Sequence, residues 1–173
     1  MKTFLQILIF FSSSLIYAQN TAPGLDGNVE EQEWQDAQNF SHDYEVDPGD
    51  NTPPPHKTKA YIKYTKTDLY IGFIAYADMK NLRSSIRNRD EGFRDDNVLF
   101  GFDAYGDGRY MIALGANPEG NQIDVKVLSN GGDDNYDVNF ESKASKHQDN
   151  YQVELKIPFA NLQFKPAEEM RWK

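Results

Sequence analysis

From residue 57 onward the apolar side chains come in runs of strand length, each closed by a turn-coded stretch, and only brief segments of the chain carry helical spacing. Ala60, Ile62 and Tyr64 alternate with Tyr61 and Lys63, the two-residue period that sends neighbours to opposite faces of a strand. The run over 69–77 is bulky at successive positions, which predicts a central strand covered on both faces. Thr65-Lys66-Thr67-Asp68 before it is a connection of hairpin length. Further strands are expected over 98–103, 109–114, 122–128 and 151–158, the last two alternating cleanly so that each keeps one wet face. The joins at 105–108, 117–121 and 130–134 are rich in Gly, Asn and Asp, and 136–142 reads as a weaker strand.

Two short helices are expected. Val29, Glu33, Trp34 and Ala37 stand at helical spacing and turn Trp34 inward, and 79–86 forms the second. Residues 47–56 hold four of the eight prolines and predict an extended surface loop. Together these elements predict an all-β fold, an antiparallel β-sandwich with one or two short helices, in a single domain over 19–173.

The chain opens with Lys2, an apolar run over 4–11 and Ser12-Ser13-Ser14, the order of a cleavable secretory signal over 1–18 with the cut after Ala18. That run is shorter than the roughly 20 residues a spanning helix needs. Export to the periplasm, the outer membrane or the cell exterior is the expectation. The formal charge is −9, and losing the signal removes Lys2 and no acid. Cations scattered singly among acids exclude nucleic acid as a partner, because that binding rests on clustered Lys and Arg. The absence of cysteine excludes thiol catalysis and cysteine-ligated zinc. His42, His56 and His147 lie far apart in sequence and offer no paired metal or nucleophile spacing.

The acids either solvate the surface or hold a divalent cation. Calcium takes six to eight oxygens from carboxylates and carbonyls. Asp26, Asp78, Asp95, Asp96, Asp103 and Asp107 are the loop acids best placed for it, with Asp26, Asp96 and Asp103 as the metal candidates. Asp95 and Asp96 are adjacent, so they point apart and do not suit a glycosidase pair, whose carboxyls sit about 5–10 Å apart across one bond.

Several stretches carry a family pattern: Leu25-Asp26-Gly27 with Glu33-Trp34 and Ala37; Asp68-Leu69-Tyr70-Ile71-Gly72-Phe73; Asp96-Asn97-Val98 followed by Asp103; Asn117-Pro118-Glu119-Gly120; and Ile157-Pro158-Phe159-Ala160-Asn161-Leu162. In order and spacing, from about residue 24 to the end, they resemble the family 9 carbohydrate-binding module. The version they most resemble stands at the amino end of large exported bacterial proteins with a predicted outer-membrane barrel. The resemblance implies a non-catalytic β-sandwich that binds a polysaccharide or oligosaccharide, with calcium as a possible cofactor. It also implies a C-terminal barrel or catalytic region beyond Lys173, and a fold whose last strand or strands lie past the sequence given. In such modules sugar stacks between two aromatic rings. The first platform falls on Phe93 and the second on Trp172, with Arg87 or Arg89 as hydroxyl donors. The acid that sugar-binding members carry after the valine falls on Leu99, which removes one ligand. Phe93 has an alternative reading as a cap on the sandwich edge, and Trp34 reads as core. The domain itself has two alternatives, a structural cap packed on the barrel or a module of a glycoside hydrolase.

Overall fold

The computed structural model describes residues 21–29, 31–133, 135–164 and Trp172; the secretory segment expected over 1–18 lies outside the described residues. One helical turn, α1 (Glu31–Trp34), precedes nine strands: β1 (Gln38–His42), β2 (Thr58–Tyr64), β3 (Asp68–Tyr76), β4 (Val98–Phe102), β5 (Tyr110–Ala116), β6 (Gln122–Leu128), β7 (Gly131–Asp133), β8 (Glu141–Lys146) and β9 (Asn150–Pro158). They form two antiparallel sheets, ordered β1-β2-β3-β9-β8 and β4-β5-β6-β7. The expected antiparallel sandwich is the observed fold.

The sheets meet through the alternate residues that face inward. Leu69, Ile71, Phe73 and Ala75 of β3 and Tyr151, Val153, Leu155 and Ile157 of β9 pack on Val98 and Phe102 of β4 and Ile112, Leu114 and Ala116 of β5. Fully buried aliphatic side chains of this kind contribute about 1.5–3 kcal/mol each. With no cysteine to cross-link the sheets, this apolar core holds them face to face.

The two-sided cover of β3 is also observed, and the N-terminal segment supplies the outer layer. Val29 and Trp34 lie with Tyr70 in a second buried cluster, flanked by Ala37, Tyr61 and Ile74. Gly72 lets the indole come down onto the sheet: a Cβ there would stand 3.0 Å from Trp34 Cζ2. A buried carboxylate on β9 fastens the layer. Glu154 accepts the backbone N–H groups of Asp26 and Gly27 at 2.9 Å each and the Trp34 indole N–H at 3.1 Å.

Three local expectations give way. Residues 79–86 are not a helix: a turn over 79–81 leads into an irregular stretch that continues to residue 88. Side chains from elsewhere take the backbone N–H groups of its alternate residues: Arg83 N–H donates to Asp96 at 3.0 Å, Ser85 N–H to Asp95 at 3.0 Å and Arg87 N–H to Asn121 at 2.9 Å. Side-chain acceptors of this kind compete with helical pairing. Residues 136–140 are not a strand either, because Gln122 and Arg89 side chains satisfy the Phe140 and Val138 carbonyls; pairing begins only at Glu141. The join at 130–134 contains the short edge strand β7, and β1 is a strand with no counterpart among the expected ones.

Candidate functional site

The segment 83–97 lies in the connection between β3 and β4 and passes the part of β6 that β7, paired only with 126–128, leaves open. Asp90 N–H donates to the Gln122 carbonyl at 3.0 Å, and Asp124 N–H donates back to Asp90 Oδ1 at 2.9 Å. Asp90 has φ 64°, a left-handed conformation that Asp tolerates better than most residues, and it starts the 3-10 turn Glu91–Arg94. Gly92 then lies flat on Ile123; a Cβ would come within 2.8 Å of Ile123 Cδ1 and Cγ1. With the turn pressed down at Gly92, the next residue, Phe93, is left 45% exposed.

Two arginines brace this turn from either side. Arg87 grips the buried Asp95 in a two-pronged pair, Nε to Oδ2 at 2.9 Å and Nη2 to Oδ1 at 3.0 Å. Asn117 Nδ2 adds a bond to Asp95 at 3.1 Å. The Arg87 guanidinium, helped by Asn117, holds the Asp95 carboxyl below the usual carboxylate range. Arg89 makes the same kind of pair with the fully buried Asp124, both bonds at 2.8 Å, and reaches the Gln122 side chain at 2.6 Å. Its guanidinium also lies 5.4 Å from the Phe140 ring centre. Hydrogen bonding to Asp124 raises the Arg89 pKa. Expected as hydroxyl donors, Arg87 and Arg89 each give two of their five N–H groups to a buried carboxylate, and Arg89 also donates to the Gln122 side chain and the Val138 carbonyl.

Asp96 binds a different arginine, Arg83, through Nη2 at 3.2 Å, and together with Asp95 it lines a cleft of about 480 Å³ at the end of the sandwich, beside Tyr76, Asp78 and Tyr151. Burial, with a contribution from the Asp96 charge, pushes the Tyr151 phenol well above its ordinary value. The adjacent carboxylates therefore serve different arginines.

Two solved structures share the fold of most of the chain. One is a carbohydrate-binding module of family 9 from Caldicellulosiruptor kristjanssonii in complex with cellotriose, 18% identical, with a TM-score of 0.54 over 88% of this chain and 70% of that one. The chain has a family 9 carbohydrate-binding-module fold. The second is a family 9 module from the same organism in complex with glucose, 19% identical, with a TM-score of 0.55 over 88% of this chain and 72% of the other. No protein-family model and no curated protein matches the sequence.

Within the family 9 fold, the expected site residues do not all converge. Leu99 pairs with Gly115, which pairs with Ile123, so all three belong to the outer face of the four-stranded sheet, the face on which the Phe93 turn rests. Trp172 is on the other side. Its ring stacks on Phe102, an inward-facing core residue, at 5.1 Å and 20°, and meets Phe159 and Phe164 at 6.1 and 5.8 Å. The two rings therefore do not form one clamp around a sugar: Trp172 is drawn into the core by three aromatic neighbours.

The calcium candidates are likewise apart. Asp96 and Asp103 flank β4 at opposite ends. That spacing, about 3.3 Å per strand residue, is too long for two ligands at 2.3–2.6 Å from one ion. Asp103 instead ties its own loop, accepting the N–H groups of Tyr105, Gly106 and Gly108, and Asp26 accepts Asn28 N–H. Among the described residues, the group of three acids whose oxygens come within 4.8 Å of one another is Asp90, Asp124 and Asp137. There Arg89 supplies the positive charge, paired to Asp124 at 2.8 Å and to Asp137 at 3.2 Å.

Proposed function

We propose that this protein is an exported, non-catalytic carbohydrate-binding module that holds an oligosaccharide or polysaccharide beside machinery at the cell surface. The observation that supports the reading is the fold shared with two modules whose structures contain cellotriose and glucose. Phe93 is the platform: a half-exposed ring on a turn braced by Arg87–Asp95 and Arg89–Asp124 can meet the C–H face of a pyranose. Rigid presentation lowers the ordering cost of binding.

Isothermal titration of the folded protein with cellotriose, glucose and xylan fragments, and affinity electrophoresis against xylan and cellulose, test the reading. Saturable binding that Phe93→Ala removes supports it. Absence of binding to any of these glycans, or binding indifferent to Phe93→Ala, overturns the platform assignment.

Leu99 favours a second reading, a structural domain that packs against an outer-membrane barrel or catalytic region of the same protein. An aliphatic residue on an outer sheet face, beside the exposed Met111 and Gly101 of the same face, suits protein contact better than sugar hydroxyls. Under that reading Leu99→Asp and Met111→Glu leave the domain folded but impair assembly of the longer protein.

A further inference from the structure

The outer face of the five-stranded sheet, on the opposite side of the sandwich from Phe93, carries a cleft of about 590 Å³ lined by Val29, Gln32, Trp34, Gln35, Asn39 and Tyr61. Its size falls within the range of about 300–1,000 Å³ usual for small-molecule sites. No residue of the lining is charged at neutral pH, so neither an anion nor a cation finds a counter-charge there. What the lining offers is three side-chain amides, all on exposed residues and none hydrogen-bonded through its side chain to a described residue. Each amide presents donors and an acceptor side by side. That is the complement of a hydroxyl, which gives one hydrogen bond and receives others.

The wall behind the amides is aromatic and fixed. Tyr61 lies 6.1 Å from Trp34, tilted at 55°, and Trp34 is pinned in turn by its bond to Glu154. Asn39 is the cross-strand partner of Tyr61, so its amide stands on the same face as the ring. Gln32 and Gln35 come from α1 and the turn after it, carried on the segment that Glu154 fastens down. A ring held in place with neutral hydrogen-bonding groups along its border suits a ligand with one apolar face and many hydroxyls.

We propose that this cleft is a second saccharide-binding site, taking one neutral sugar residue or the end of an oligosaccharide, with Tyr61 as the apolar wall and Gln32, Gln35 and Asn39 as the hydroxyl partners. The proposal rests on the carbohydrate reading above but on different residues. Two sites on opposite faces make the domain bivalent: one module joins two glycan segments, and a polymer that reaches both gains avidity over a short oligosaccharide.

The test uses the uniformly ¹⁵N-labelled protein titrated with cellotriose, following the side-chain amide resonances of Gln32, Gln35 and Asn39. The expected result is a saturable shift of these resonances that persists in Phe93→Ala. In Gln35→Ala/Asn39→Ala, two exposed positions, the midpoint for this face weakens by about tenfold. Amide resonances that stay still at concentrations saturating the Phe93 face overturn the second site and leave the carbohydrate reading standing. Shifts of the amides with none around Phe93 support the second site and remove Phe93 as a platform. No shift on either face with cellotriose, glucose or xylan fragments overturns both.

Discussion

The indole N–H of Trp34 donates to Glu154 Oε1 at 3.1 Å, joining residues 120 positions apart, while the other oxygen of the same carboxylate takes two backbone N–H groups from Asp26 and Gly27. Glu154 is 1% exposed, so a fully buried acceptor helps to fix the N-terminal layer to the sheet, together with the bond from Val29 N–H to the Gln152 side chain at 2.7 Å. Trp34→Phe keeps an apolar ring and deletes the donor, leaving a buried oxygen short of a partner. The expected loss is about 1–3 kcal/mol in urea unfolding followed by far-UV circular dichroism. An unchanged unfolding midpoint would show that the bond contributes nothing net.

Gly72 provides an independent reading of the same contact. A Cβ at that position stands 3.0 Å from Trp34 Cζ2 and 3.2 Å from Cε2 and Cη2, and the ring cannot withdraw without stretching its bond to Glu154. Gly72→Ala is expected to destabilise by about 1–3 kcal/mol, the range for overpacking. In a Trp34→Ala background the penalty disappears, giving a coupling energy of about 0.5–3 kcal/mol in a double-mutant cycle. Additive effects would place the strain elsewhere.

The sequence made the sandwich legible because its strongest signals were local. β3 showed its two covered faces as bulky residues on both, broken only by Gly72 and Ala75, and the inward turn of Trp34 followed from helical spacing. Interactions between distant segments were not legible. Nothing near residue 34 points to Glu154, and nothing near residue 83 announces that Asp95, Asp96 and Asn121 will take the backbone N–H groups of a stretch with helical character. Strand β1 is exposed at all of its positions, so no alternation of apolar residues marks it. Arg87, Arg89 and Trp172 were recognisable as notable side chains, but their partners Asp95, Asp124 and Phe102 decide what they do. The amides around Tyr61 carry no motif; only the packing of α1 against β1 and β2 gathers them.

Stability should fall on the acid side through a definite set of carboxylates. Hydrogen bonds from Arg87 hold Asp95 below its usual range, as those from Lys146 and Lys63 do for Glu119 and Asp36. A carboxyl whose folded pKa is depressed contributes stability above its unfolded value, about 4, and loses it as pH falls through the folded value. Glu154 has the opposite sign: burial raises it, so stability from this group declines as pH rises from about 4 through the raised value. Urea midpoints measured across this range should therefore drop below about pH 4, and Asp95→Asn should flatten that drop. A variant as acid-sensitive as the parent would exclude Asp95 as a contributor.

Calcium should have little effect on the unfolding temperature. Asp103 and Asp26 already accept backbone N–H groups, Asp96 is paired with Arg83, and the guanidinium of Arg89 already pairs with Asp124 and Asp137 in the cluster they form with Asp90. Thermal scans with calcium in excess and with a chelator should coincide. Ligand binding at 100 times Kd would add about 2.7 kcal/mol and be readily seen, and such a shift would reveal a site built from other oxygens.

Phe93 and Gly92 are adjacent, yet their substitutions should separate binding from folding. Phe93 is 45% exposed and absent from the buried clusters, so Phe93→Ala is expected to change stability by no more than about 0.5 kcal/mol while removing glycan binding at that face. Gly92→Ala sets a methyl 2.8 Å from Ile123 Cδ1 and Cγ1, and Ile123 is fully buried, so the turn must lift from the sheet. That movement strains the two-pronged pairs of Arg87 with Asp95 and Arg89 with Asp124 that flank the turn. A loss of about 1–3 kcal/mol is expected from the overpacking, together with weaker glycan affinity from a ring still present but displaced. Calorimetry on the two variants distinguishes the roles. If Phe93→Ala is the more destabilising of the pair, the ring is a packing element and the platform must be sought elsewhere.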